Sequence, residues 1–256
     1  MKENRIEQYA SLLIRRDQLK KEAEIMEDEY YREFGDEFYN VYEVKISCIE
    51  LKKKIHYCQA ARNHGEKIDV EMMDAVLKEE MRDYYTQLKN LFANVQGVKK
   101  MKVSPEHVVL AVKKKYRELA KMIHPDLHPF TQEDETLMDL WNRAVKAYHM
   151  NDENGLDEIG ILVRHRLQEL GYEEESVVVI EDLEEKIRSV NAEIEEIMNT
   201  DPYQYKMLFE REDLVEEKHL ELKKELDSYL HYQEELEGIL HTFISDGEVT
   251  VEWKMD

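Results

Sequence analysis

Few residues in this chain have both the type and the spacing to do chemistry. His124, Asp126 and His128 lie within five positions of each other. His56, Cys58 and His64 form a second group. The i,i+4 pair His124 and His128 has the spacing of metal ligands on a helix, but Pro125 and Pro129 remove the helix that would align them. His56, Cys58 and His64 have no fourth ligand nearby and read as residues of a helix end. Cys58 has no His and Asn set to make it a nucleophile. The many paired acids read as solvated helix faces, and no catalytic residue and no metal site is expected. There is no Gly-rich phosphate loop and no Mg-binding constellation, so no cofactor is expected.

What remains is the tripeptide His124-Pro125-Asp126 and the basic residues before it. Lys113, Lys114, Arg117 and Lys121 fall largely outside the apolar face formed by Val109, Val112, Tyr116, Leu119, Ala120 and Ile123. Ser104 is placed as an N-cap, Pro105 suits the first helical position, and Glu106 complements the helix dipole. Pro125 forbids the helix from continuing, because it lacks an N–H and crowds the preceding turn. His124 and Asp126 are thereby set at a corner. A second helix is predicted from near Thr131, with Thr131 and Asp134 at capping-box spacing. Leu137, Leu140, Trp141, Ala144, Val145 and Tyr148 mark its apolar stripe. The two helices should pack as an antiparallel pair, and Leu156, Ile159, Val163, Leu167 and Leu170 mark one more helix after them.

Charge isolates the same segment. The formal charge of the 256 residues is −22. From Lys99 to Ile123 there are 8 bases and 2 acids, a net of +6. From Tyr172 to Asp256 there are 26 acids and 8 bases, a net of −18. A basic island in an acidic chain predicts an acidic local partner. The overall negative charge argues against nucleic acid as that partner.

The rest of the chain must position this corner. Gly (8) and Pro (4) are scarce and 37% of residues are charged, which predicts an all-α fold of long helices, each with one apolar stripe. Residues 1–98 read as an N-terminal helical bundle. One helix spans Asn4 to Phe34 with Gly35 as its stop. A second spans Asp36 to Asn63. A third carries the heptad seam Val70, Met73, Leu77, Met81, Tyr84, Leu88, Leu91 and Val95, capped by Asp69 and ended at Gly97. Residues 99–171 hold the corner and its helices. Residues 172–256 read as an antiparallel coiled-coil hairpin, with Leu183, Ile187, Val190, Ile194 and Ile197 on one arm. The other arm carries Val215, Leu222, Leu226, Tyr229, Leu236, Leu240 and Phe243, followed by a short strand or tail at Val249–Trp253.

Cys48 and Cys58, ten residues apart in one predicted helix, cannot pair with each other, and a reducing compartment is expected. The opening MKENRIEQYASLL lacks the apolar core of a signal peptide, and no apolar run approaches the ~18 residues of a bilayer span. A cytoplasmic protein is expected, with no membrane partner.

A basic helix holding Tyr116-Arg117-x-Leu119-Ala120, then His124-Pro125-Asp126, then a helix holding Ala147-Tyr148, resembles helices two and three of a J-domain. The resemblance covers residues 103–152. Glu118, Met122 and Leu127 stand where the family often has a base. The first J helix has no close copy beside helix two; Asp83-Tyr84-Tyr85-Thr86-Gln87-Leu88 matches it in letters but lies upstream, so the third predicted helix is the candidate for its packing role. The resemblance implies a DnaJ-like co-chaperone, not an enzyme. It would bind a DnaK-type (heat-shock protein 70) chaperone and stimulate its ATP hydrolysis. His124, Pro125, Asp126, Lys113, Lys114, Tyr116, Arg117 and Lys121 would form the chaperone-binding surface. Asp126 would pair with a partner arginine. The helical arms would recruit a client protein or form a homodimer. The alternative is a coiled-coil adaptor whose J-like segment stimulates no chaperone.

Overall fold

The computed structural model describes residues 2–101, 104–172 and 182–245. The described residues form ten helices and no strand, so the all-α expectation holds. The tail at Val249–Trp253 lies outside them. Helix α1 (Lys2–His64) is followed by α2 (Val70–Glu80), α3 (Arg82–Lys100), α4 (Glu106–Ile123), α5 (Pro129–Glu133), α6 (Glu135–His149) and α7 (Glu153–Glu169). Then come α8 (Leu183–Asn199), α9 (Tyr205–Phe209) and α10 (Glu212–Ser245). The chain divides into two compact units. Unit 1 is Met1–Glu27 with Lys102–Gln204, and unit 2 is Asp28–Met101 with Tyr205–Asp256. Each is assembled from separated stretches, whereas the sequence read along its length suggests three consecutive segments.

The predicted break at Gly35 does not occur: α1 runs straight through it. Glycine costs about 1 kcal/mol against alanine in a helix interior, too little to stop a helix that packing holds on both sides. A Cβ at Gly35 would lie 2.8 Å from both methyl groups of Val95, so the missing side chain lets α3 approach α1 closely. Gly97 likewise lies inside α3 and does not end it. The single heptad helix predicted from Val70 to Val95 is divided at Met81 into α2 and α3. Asp69 caps α2 as expected, its carboxylate accepting the Met72 N–H at 2.9 Å.

In unit 2, Met73 and Leu77 of α2 pack with Cys48, Ile55 and Cys58 of α1 and with Leu236 and Leu240 of α10. Both cysteines are buried free thiols. His219 of α10 sits between Glu37 at 2.7 Å and Glu33 at 3.2 Å, against the Phe34 ring. In unit 1, Ile187 and Val190 of α8 pack on Tyr9 and Leu13 of α1. Of the two C-terminal seams, that of α8 packs on Tyr9 and Leu13 and that of α10 on Cys48, Ile55 and Cys58, all of α1.

Candidate functional site: the corner between α4 and α6

Helix α4 begins with the Pro105 carbonyl accepting from the N–H groups of Val108 and Val109. Pro105, not Ser104, therefore occupies the cap, and no side chain caps this end. The apolar face predicted for α4 is the buried one: Val112, Tyr116, Leu119, Ala120 and Ile123 join Leu137, Leu140, Trp141, Ala144 and Tyr148 of α6. Leu156, Ile159 and Val163 of α7 close the same core. Tyr116 stacks on Tyr148 with ring centroids 4.0 Å apart. The Thr131–Asp134 capping box is not formed. Asp134 itself caps α6, accepting the Leu137 N–H at 2.9 Å and taking Arg166 at 2.6 Å. Thr131 lies in the short α5, buried, with no partner for its hydroxyl.

The corner is tightly folded. The His124 carbonyl accepts from the N–H groups of Leu127 (2.9 Å) and His128 (2.8 Å), which turns the chain directly after α4. His124 Nδ1 accepts the Asp126 N–H at 3.1 Å, and the imidazole lies against the Trp141 ring at 4.7 Å. His128 Nε2 donates to the Lys121 carbonyl at 2.6 Å, and Gln132 bridges to the Pro125 carbonyl at 3.1 Å. Burial, opposed by Asp17 and Asp126, lowers the His124 pKa, and burial likewise lowers that of His128. Both rings are engaged with the backbone of the turn.

Sequence reasoning missed the start of α1. Ile14 enters the α4–α6–α7 core, and Leu13 and Tyr9 pack on Leu127. The first stretch of α1, not α3, thus covers this helical pair. Tyr84 and Leu88 of α3 pack with Ile46 and Met81 in unit 2. Asp17 accepts the Tyr116 hydroxyl at 2.7 Å and lies 3.8 Å from His124 Nε2. Burial, reinforced by Asp17, pushes the Tyr116 phenol up. Gln18 accepts from Arg117 at 3.2 Å, while its own amide nitrogen has no partner. Lys21, buried, donates to the Tyr148 carbonyl and to Asn151, both at 2.6 Å, and lies over the Tyr148 ring. Burial lowers its pKa to about 8, which still leaves it charged at neutral pH. Arg16 reaches three carboxylates: Asp17 at 3.0 Å, Glu193 of α8 at 3.5 Å and Asp126 at 3.7 Å. The available signal was Gln18 and Lys21 at i+4 and i+7 from Ile14, polar residues on a core-facing line.

The eight residues singled out at first divide into two groups. Tyr116 and His124 are 2% and 3% exposed, so they hold the corner and present no surface. Lys114, Arg117 and Lys121 are exposed, Lys113 is half-buried, and with Leu110 and the exposed Glu118 they line a shallow groove of about 300 Å³. Among the described residues Lys113, Lys114 and Lys121 form no ion pair, unlike Lys115, which is held by Glu153 and Asp157 of α7. Pro125 is half-buried, and the Asp126 side chain is 41% exposed at the end of this stripe. Leu127, where the J-domain pattern often has a base, is 4% exposed, which accounts for its apolar character. Among the described residues no three His, Cys, Asp or Glu side chains group to hold a metal, and no helix is long and apolar enough to cross a membrane. Comparisons with models of protein families, with curated proteins and with solved structures find no match to this chain.

Proposed function

We propose that this chain is a J-domain co-chaperone, which binds a DnaK-type chaperone through α4 and the corner after it and stimulates ATP hydrolysis by that partner. One observation carries the reading: a basic stripe on α4, whose Lys113, Lys114 and Lys121 form no ion pair among the described residues, ends at a part-exposed carboxylate on a turn built from His124-Pro125-Asp126. Charges left unpaired on a rigid helix attract an acidic surface at long range and set the approach. Asp126 then offers a carboxylate to a partner base, and a charge-assisted hydrogen bond there gains strength as water leaves. Tyr116, His124 and Trp141 fix the direction in which Asp126 points. The chain itself performs no bond chemistry.

The test is the steady-state ATPase rate of a purified DnaK-type chaperone with the full chain added. The wild-type chain is expected to raise the rate, and Asp126→Asn and the double variant Lys114→Glu/Lys121→Glu to abolish the rise. His124→Gln is expected to act the same way through the turn. No rise with the wild-type chain overturns the proposal.

The second reading is a helical adaptor whose J-like segment engages no chaperone. Burial of His124 and the Arg16–Asp126 contact favour it, since both turn the motif toward its own unit. It expects no ATPase response and an unchanged rate across the Asp126 variants.

A further inference from the structure

Among the described residues Arg16 is the cation nearest to the carboxylate on which the proposed function depends. Its side chain is 14% exposed, and the guanidinium is already held by Asp17, itself 14% exposed. From that anchored position it faces two further carboxylates at almost equal distance, Glu193 of α8 at 3.5 Å and Asp126 at 3.7 Å. Both are 41% exposed. Asp17 takes Nε and Nη2 of the guanidinium, at 3.1 and 3.0 Å, and Glu193 and Asp126 both face its remaining nitrogen, Nη1. Asp17 takes the short contact, so Glu193 and Asp126 share what remains.

We propose that Arg16 is an internal counter-ion for Asp126, which a partner base must displace, and that Glu193 weakens its hold by competing for the same guanidinium. This inference rests on the chaperone reading of Asp126. The physical reason is exchange: a partner base gains only the difference between its own contact with Asp126 and the contact that Arg16 gives up. Helix α8 therefore sets how available the carboxylate is, because Ile187 and Val190 dock it on α1 and so place Glu193 beside Arg16. The neighbouring seam is incompletely satisfied: the Gln18 amide nitrogen is buried without a partner beside Arg117.

The experiment has two arms on the full-length chain, with wild type, Arg16→Met, Arg16→Lys and Glu193→Gln. In the first arm no chaperone is present. Water-soluble carbodiimide and an amine label carboxyl groups, and peptide mass spectrometry reads the rate at Asp126 against Asp139 and Asp157. Arg16→Met is expected to speed labelling of Asp126 about two- to five-fold, the range for a partly exposed ion pair. Glu193→Gln is expected to slow it, and Arg16→Lys to lie between wild type and Arg16→Met. A merely structural loss would raise labelling at all three sites, and in that case Glu193→Gln, a surface change, decides. Equal Asp126 rates in wild type, Arg16→Met and Glu193→Gln overturn the inference. In the second arm the affinity for an ATP-bound DnaK-type chaperone is measured. Arg16→Met is expected to bind tighter by a similar factor, and adding Asp126→Asn to remove the gain. Labelling that responds while affinity does not overturns the displacement step. Labelling that responds while no chain, wild type included, binds the chaperone overturns the chaperone reading itself and leaves only the pairing of Arg16 with Asp126.

Discussion

Inside unit 1 the His124 ring has lost most of its water, and that loss outweighs the two nearby carboxylates, so its folded pKa lies below 6.5. His128 is shifted the same way by burial, against the Lys121 carbonyl. Above pH 6.5 both rings are neutral in folded and unfolded chain alike. Below it the unfolded chain takes up the protons first, so unit 1 loses stability as the pH falls. His219 in unit 2 runs the other way. Burial lowers its pKa, but hydrogen bonds and charge from Glu37 and Glu33 together outweigh this and hold it above 6.5. Its contribution is complete below pH 6.5 and is lost as the pH rises through the raised folded value. Urea unfolding followed by Trp141 fluorescence in a Trp253→Phe background is expected to give a lower midpoint at pH 5 than at pH 7. His124→Gln with His128→Asn should flatten that difference. Hydrogen exchange of α10 amides is expected to show protection falling from pH 6 to pH 8, and His219→Gln to remove the trend. An unchanged Trp141 midpoint would contradict the first sign, and protection rising in α10 the second.

Helices are the scale at which sequence and structure agree best and diverge most informatively. Periodicity located the buried faces of α4, α6 and α7 because each helix has one strong apolar stripe, and Leu137, Trp141 and Tyr148 are buried as that stripe requires. It misjudged α1, whose partners change along its length: Leu13 serves unit 1 and Ile55 serves unit 2, so no single stripe continues. It also missed Arg16, Asp17 and Lys21, since a polar side chain in a seam declares its partner only in three dimensions. Gly35 and Gly97 show the limit of local signals, because both look like stops and neither stops a helix. Their roles are separable by substitution. Gly97→Ala meets nothing within 4 Å and should stabilise by up to about 1 kcal/mol through helix propensity. Gly35→Ala has the same gain but drives a methyl into Val95, and such overpacking costs about 1–3 kcal/mol. The net effect expected in urea unfolding is destabilisation by about 1 kcal/mol, and Val95→Ala should suppress it in a double-mutant cycle. A stabilised Gly35→Ala chain would mean that the close approach of α3 is not a constraint.

At the scale of the whole molecule, neither unit is a continuous piece of chain, and this alters what the J-like segment is. Residues 99–171 contain the corner, both of its helices and α7, and would pass for a domain on sequence grounds. They lack Leu13, 0% exposed, which with Tyr9 covers Leu127, and Ile14, which enters the core beside Tyr116. They also lack Asp17, the acceptor for the buried Tyr116 hydroxyl, and Lys21, a second donor to the Tyr148 carbonyl beside the Asn151 N–H. Cut out alone, the segment exposes that apolar surface and leaves the Tyr116 hydroxyl without its acceptor. A lost hydrogen bond of this kind costs about 1–3 kcal/mol when the remaining group stays buried, and each uncovered large apolar side chain about 1.5–3 kcal/mol. Those losses are comparable with the whole stability of a small domain. The isolated segment 99–171 is therefore expected to show a broad, low thermal transition by circular dichroism and a solvent-exposed Trp141 spectrum. Adding residues 1–27 through a flexible linker should restore a cooperative transition and the buried Trp141 spectrum. Asp17→Leu in the linked form should restore the apolar cover but not the acceptor, and so recover only part of the stability. A segment 99–171 that melts as sharply alone as when linked would show that α1 is dispensable to the corner it covers.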